Sequence, residues 1–140
     1  MTPPDQAHLV RQWIEKAEED FRNAEYTLTL QEGCPLSTVC FHSQQCVEKY
    51  LKALLIYCAL PVPRSHDLLV LYHQIPAGHR PDLSKQWLAV LNRYAVEARY
   101  PGDWDDISRR EAEEALIAAS TVRQRIRGEL LEMLGPDQVS

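Results

Sequence analysis

Four polar side chains follow one another at helical spacing within the most apolar stretch of the sequence: Gln45, Glu48, Lys49 and Lys52. Positions i, i+3, i+4 and i+7 share one face of a helix, so the amide, the carboxylate and the two ammonium groups should point the same way. Such a band could hold an anionic ligand. The simpler alternative is a solvent-exposed face with an ion pair between Glu48 and Lys52, which contributes only a few tenths of a kcal/mol.

A guanidinium and an imidazole lie beside a predicted helix N-terminus in the run Arg64-Ser65-His66-Asp67. The unpaired N–H groups of a helix N-terminus favour a phosphate or another anion, so this run is a second candidate binding site. The alternative is that Asp67 already satisfies that terminus.

An arginine and a tyrosine stand together in the loop that begins at Arg99 and Tyr100. The two side chains are suited to pairing with a phosphate and to stacking on a base. Ordinary turn chemistry around Pro101 and Gly102 explains the loop equally well.

Three aspartates, Asp103, Asp105 and Asp106, resemble the start of a calcium-binding loop. Ile107 and Ser108 occupy the positions where such a loop needs an oxygen ligand and a glycine, so we reject calcium binding. A magnesium ion that accompanies a bound nucleotide is the one cofactor that these carboxylates could contact. Negative charge ahead of a helix is the commoner reason for such a cluster. We therefore predict no resident metal site.

The four cysteines, Cys34, Cys40, Cys46 and Cys58, show no C-x-x-C spacing. Three of them fall in one predicted helix, where a straight rod keeps them out of bonding range, so reduced thiols are expected. His42 and Cys46 share a helix face and could hold a metal, but the sequence offers no second ligand pair.

With no signal-peptide pattern and no long apolar run, the sequence predicts a cytoplasmic protein that does not enter a membrane.

The chain of 140 residues fits one domain, residues 1–140 with a core at about 7–134. Its hydrophobic fraction of 45% and charged fraction of 25% are typical of a globular protein. The net charge of -5 lacks the basic footprint of sequence-independent nucleic-acid binding, although a local basic site is compatible with it. The sequence contains no P-loop and no G-x-S-x-G nucleophile motif.

Apolar residues recur at spacings of three and four along the whole chain, which predicts an all-α fold. The predicted helices run from about Ala7 to Gln31, Pro35 to Ala59, His66 to Gln74, Lys85 to Ala98, and Arg109 to Leu134. Ser65, Ser84 and Ser108 are the predicted N-caps of the last three. Because the second helix is apolar over most of its circumference, it should lie at the centre of an up-and-down four-helix bundle with one additional short helix.

Four segments carry a family resemblance. They are Trp13…Ala17-Glu-Glu-Asp20-Phe21…Ala24, Cys40-Phe-His-Ser-Gln-Gln-Cys-Val-Glu-Lys-Tyr-Leu-Lys-Ala-Leu-Leu55, Ser65-His-Asp-Leu68 and Ala98-Arg-Tyr-Pro101. Together they resemble the HEPN domain family (higher eukaryotes and prokaryotes nucleotide-binding), over roughly residues 9 to 134. The resemblance implies a helical bundle that forms a homodimer, binds nucleotide or RNA, and often pairs with a minimal nucleotidyltransferase in a toxin-antitoxin or related system.

Many HEPN proteins are metal-independent RNases that use an Arg-x4-6-His pair, and the sequence departs from this pattern. None of its eleven arginines is followed by histidine at that spacing. We therefore expect a nucleotide-binding or partner-binding module, whose candidate ligand residues are Gln45, Glu48, Lys49, Lys52, His66, Arg99 and Tyr100. The alternative is an RNase with a noncanonical pair, His66 and Arg99.

Overall fold

The computed structural model of the chain describes residues 4–95 and 106–135, apart from the side chains of residues 4 and 132–134. Within these ranges it contains five α-helices and no β-strand. They are α1 (Pro4–Leu28), α2 (Leu36–Tyr57), α3 (Leu68–Gln74), α4 (Lys85–Asn92) and α5 (Arg109–Leu134). The predicted all-α bundle is confirmed.

Helix α2 lies at the centre of the bundle, as its apolar circumference predicted. It contacts each of the other four helices, most extensively α1 and α5, and α3 also contacts α4. Val47, Leu51 and Leu54 are fully buried on α2 and join one continuous hydrophobic cluster. Small residues at the start of α5, such as Ala112 and Ala119, are buried as well and allow close packing against α2.

Two of the three predicted serine caps are confirmed. The Ser84 and Ser108 hydroxyls accept hydrogen bonds from the backbone N–H groups of Trp87 and Glu111, at 3.2 and 3.0 Å. Helix α3, in contrast, begins at Leu68 and not at His66. Its N-cap is Asp67, whose side chain accepts the N–H of Leu69 at 2.9 Å, so the aspartate does satisfy this helix terminus.

Helix α4 ends at Asn92, well before the predicted Ala98. After Asn92 the backbone turns more tightly, and the N–H groups of Arg93 and Tyr94 bond three residues back, to Val90 and Leu91. Tertiary contacts favour this early end, because the Asn92 side chain accepts from the N–H of Leu68 at 2.8 Å and donates to Asp67.

Trp87 lies outside the buried face of α4. The residue is 41% exposed, whereas Leu88 and Leu91 on the same helix are buried. The shorter helix still places two leucines inward, and the indole lies at the surface.

Side chains from distant segments satisfy the carbonyl ends of the long helices. Gln6 donates to the carbonyls of Ile56 and Tyr57 at the end of α2. Arg109 donates to the carbonyls of Leu28 and Leu30 at the end of α1. These bonds fix both ends of the α1–α2 pair, on which the candidate site is built.

The four cysteines all fall within the described ranges and are thiols. None of the helices described is long and apolar enough to cross a membrane.

Candidate functional site

The Glu48 carboxylate is the centre of a buried hydrogen-bond cluster at the junction of α2 with the loop before α3. Only 3% of its side chain is exposed. It accepts from Lys52 Nζ at 2.9 Å, from His66 Nδ1 at 3.0 Å and from Gln44 Nε2 at 3.2 Å. Gln44 Nε2 also contacts the carbonyl of His66 at 3.4 Å. The cluster therefore fixes His66 against the central helix.

The surroundings of Glu48 keep it ionised. Burial alone would raise the pKa of this carboxyl group. The hydrogen bonds from Lys52, Gln44 and His66, with the positive charge of Lys52, outweigh the burial and hold the pKa below its ordinary value. An ionised carboxylate only accepts hydrogen bonds, so His66 donates through Nδ1 and its second ring nitrogen, Nε2, is the basic one whenever the ring is neutral. The side chain of His66 is 46% exposed.

The Lys52 ammonium is enclosed as well as paired. Its side chain is only 10% exposed, and Nζ lies 5.5 Å from the centre of the Trp13 ring on α1. The ion pair between Glu48 and Lys52 thus forms, but in the interior and not on the solvent-exposed face that the simpler alternative assumed. Gln45 is tied to the same cluster, because its amide donates to Gln44 Oε1 at 2.7 Å.

Lys49 belongs to a different carboxylate. Its ammonium donates to Asp20 Oδ2 at 2.6 Å, and His42 Nδ1 lies 2.7 Å from the other oxygen of the same group. The predicted band on α2 is therefore divided between two acidic residues, with Gln45, Glu48, Lys52 and His66 in one cluster and Lys49 in another. Both lysines are neutralised by carboxylates of the chain itself.

The role of Asp20 was missed in the sequence, although a signal for it was present. Asp20 follows Ala17 by three residues on the apolar stripe of α1, where a carboxylate turns inward and requires a partner. His42, a candidate metal ligand with Cys46, is one such partner, and Lys49 is the other. Burial raises the pKa of the Cys46 thiol, which favours the protonated form. No group of three or more potential metal ligands occurs in the described part of the chain.

A third carboxylate, Glu18, joins α1 to α5. Its oxygens accept two bonds of 2.6 Å from Arg123, and the Tyr50 hydroxyl donates to it at 2.7 Å. Arg127 lies 3.7 Å from the same carboxylate. Burial would raise the pKa of Glu18, but these hydrogen bonds and the two arginine charges lower it below its ordinary value.

Several of the sequence-predicted residues lie outside the described ranges. They are Arg99, Tyr100, Asp103 and Asp105. The pairing of His66 with Arg99 therefore stays a prediction, and so does the magnesium contact.

A profile of the HEPN domain matches residues 10–129. The chain belongs to the HEPN domain family. Its fold is similar to the crystal structure of TT1696 from Thermus thermophilus, with a TM-score of 0.71 and 28% identity over 86% of this chain and 98% of that one. It is also similar to ST0689, described as an archaeal HEPN homologue, with a TM-score of 0.68 and 28% identity over 86% and 97% of the two chains. No functionally curated protein matches this HEPN domain.

The lowered pKa of Glu48 predicts a loss of stability in acid. A carboxyl group whose pKa is lower in the folded than in the unfolded state stabilises the fold above about pH 4.5, and this contribution disappears as the pH falls through the folded value. We expect Glu48→Gln to cost about 3–5 kcal/mol at pH 7, because Lys52 keeps its charge in a buried site. The substitution should also flatten the decline in unfolding free energy between about pH 5 and 3. Urea unfolding at several pH values measures both effects.

The matched control is Glu25→Gln, which changes an exposed glutamate of α1. It should leave both the stability at pH 7 and the acid decline unchanged. Equal behaviour of the two variants would contradict a stabilising role for the Glu48 cluster.

Proposed function

We propose that this HEPN domain is a cytoplasmic binding module that takes a nucleotide or an RNA end at His66, acts as a homodimer, and pairs with a minimal nucleotidyltransferase in a toxin-antitoxin-like system. The fixed imidazole of His66 is the observation that supports the ligand site. A buried, ionised carboxylate sets its tautomer, and nearly half of its side chain is exposed. A ring held in this way loses little entropy when it binds a ligand oxygen.

The charge distribution favours a ligand site at the loop before α3 over a site on the polar band of α2 that contains Lys49 and Lys52. Lys49 and Lys52 are each paired with a carboxylate within 3 Å, so neither carries an uncompensated charge to a ligand. We therefore place the ligand contact at the half-exposed ring of His66, with Arg99 as the proposed anion contact and Tyr100 as a further ligand residue. Gln45 and Glu48 act as positioning residues in this proposal.

An apolar groove between α4 and α5 supports the homodimer. It encloses about 430 Å³ and is lined by Trp87, Val90, Leu91, Tyr94, Glu111, Glu114, Ala115, Ile117 and Ala118. Val90 and Ile117 are 46% and 57% exposed beside it. Exposed large apolar groups around a groove are typical of an interaction surface, and a second copy related by a two-fold axis would cover both patches at once.

The proposed protein partner and the proposed toxin-antitoxin system are inferred from the family of the chain. Membership of the HEPN domain family is what favours a nucleotidyltransferase partner, a toxin-antitoxin role and a bound nucleotide. The missing Arg-x4-6-His pair favours binding over catalysis.

Calorimetric titration with ATP and GMP tests the ligand site. Removing both predicted contacts, in His66→Ala/Arg99→Ala, should weaken binding by about tenfold to a hundredfold, the scale of a charge-assisted hydrogen bond. Loss of the bond to Glu48 should also lower the melting temperature, so the titration is carried out well below it. The control His73→Ala/Arg93→Ala removes an exposed histidine and an exposed arginine elsewhere and should bind as the wild type does. Unchanged heats in the first variant would show that this site is wrong.

Light scattering tests the homodimer. We expect twice the chain mass of 16.1 kDa at tens of micromolar. Ile117→Glu should give the mass of a single chain, because it places a charge in the proposed apolar contact at a cost of several kcal/mol. Val70→Glu changes an exposed apolar residue on α3 and should leave the dimer intact. A wild-type protein with the mass of one chain would contradict the proposal.

A metal-independent RNase is the second candidate function, and the Glu48–His66 pair is the observation that favours it. A carboxylate that fixes the tautomer of a histidine is the arrangement used to prepare a general base. We nevertheless expect no RNA products from the purified wild-type protein without metal, because Lys49 and Lys52 are neutralised by carboxylates and the sequence lacks the Arg-x4-6-His pair that would align a cation with the histidine. Products that disappear in His66→Ala but persist in His73→Ala would reverse this choice.

A further inference from the structure

A cleft between α1 and α5 lies apart from the His66 cluster and is rich in arginine. It encloses about 690 Å³ and is lined by His8, Arg11, Gln12, Ile14, Glu15, Glu18, Glu19, Arg22 and Arg127. Its volume falls in the range of small-molecule sites, roughly 300–1,000 Å³. The cleft shares no lining residue with the Glu48, Lys52 and His66 cluster.

Arg127 is held at the wall of this cleft without a close carboxylate of its own. Both oxygens of Glu18 accept hydrogen bonds of 2.6 Å from Arg123. The Arg127 guanidinium lies farther from this carboxylate, at 3.7 Å. The Arg127 guanidinium instead donates to the Tyr50 hydroxyl at 3.4 Å. Two arginines therefore share one carboxylate, which leaves one positive charge in excess at a position that is already anchored.

Arg11 and Arg22 add two further charges along α1. Neither makes an ion pair in the part of the chain that the structure describes, and both are exposed. A guanidinium is planar and always charged, and it binds phosphate oxygens in a bidentate manner. The three arginines are thus available to an anion.

The carboxylates that line the cleft cancel only part of this charge. Glu18 is paired with Arg123, and Glu19 lies 3.6 Å from Lys16. Among the described residues, Glu15 is the cleft glutamate that has no ion pair. Three arginines thus face one uncompensated carboxylate, on a protein whose net charge is -5.

We propose that the α1–α5 cleft is a second binding site, specific for the phosphate groups of a nucleoside phosphate. Arg11, Arg22 and Arg127 contact the phosphate oxygens. Glu15 and the Gln12 side chain face the same space and can accept hydrogen bonds from ribose hydroxyls or base amino groups. A cleft with both signs of charge suits a ligand that carries an anionic end and a hydrogen-bond-donating end.

Titration of the His66→Ala/Arg99→Ala variant isolates this cleft, because that variant lacks the site proposed above. ATP should still bind, and adding Arg11→Ala and Arg22→Ala should weaken the remaining binding by about tenfold or more. Adenosine, which lacks phosphate, should give no heat, and binding of ATP should weaken as salt rises. Arg127→Gln should weaken binding as well, since it keeps a polar group beside Tyr50 but removes the charge.

The control Arg110→Ala removes an arginine of α5 that is 89% exposed in its side chain and lies outside the cleft. It should bind ATP with unchanged affinity. A short oligoriboadenylate distinguishes the sources of phosphate: tighter arginine-dependent binding than that of ATP identifies an RNA strand, and weaker binding identifies a free nucleotide. Binding of ATP that is insensitive to Arg11 and Arg22, or no binding to the His66→Ala/Arg99→Ala variant, would overturn the proposal. Failure of the His66 site alone would leave these results unaffected.

Discussion

A central helix that carries charge into the interior can be stable only if those charges meet partners there. In α2 the constraint falls on Glu48 and Lys52, because an unpaired buried charge costs several kcal/mol. The two residues pair with each other, and Glu48 also binds His66, which ties the loop before α3 to the bundle. The same constraint fixes α1, whose inward Asp20 binds Lys49 and His42 of α2. Packing and polar pairing therefore select the same arrangement of helices.

This pairing determines where a ligand can bind. The residues that look most suitable in the sequence, Lys49 and Lys52, have their charges compensated by the carboxylates that make their burial possible. An anion gains most from cations whose charge is not already used within the fold. Among the described residues, such groups lie along the outer side of α1, at Arg11 and Arg22. The central charges of the chain thus stabilise the fold, and the proposed binding sites depend on its peripheral groups.

The sequence predicted the parts of the structure that depend on local patterns. Helical periodicity located all five helices, and the hydroxyl caps Ser84 and Ser108 marked two starts correctly. The end of α4 was missed because it depends on Asn92 binding Asp67, a contact across 25 residues. The partners of Asp20 and Glu18 were missed for the same reason, since Lys49 is 29 residues from Asp20 and Arg123 is 105 residues from Glu18. Pairs this distant follow from tertiary packing, which no local pattern encodes.

The Glu48 cluster also sets a condition on any catalysis at His66. Glu48 orients the imidazole, and the same carboxylate compensates the charge of Lys52, the cation bonded to it. Cleavage of RNA needs a base and, close to the same phosphate, a cation for the developing charge. The cluster orients a base, His66, but its cation, Lys52, is already compensated by Glu48. A catalytic cation would therefore have to come from outside the cluster, from Arg64 or Arg99 of the same chain or from a second copy. A fixed histidine alone is compatible with binding, and catalysis would require such a cation beside it.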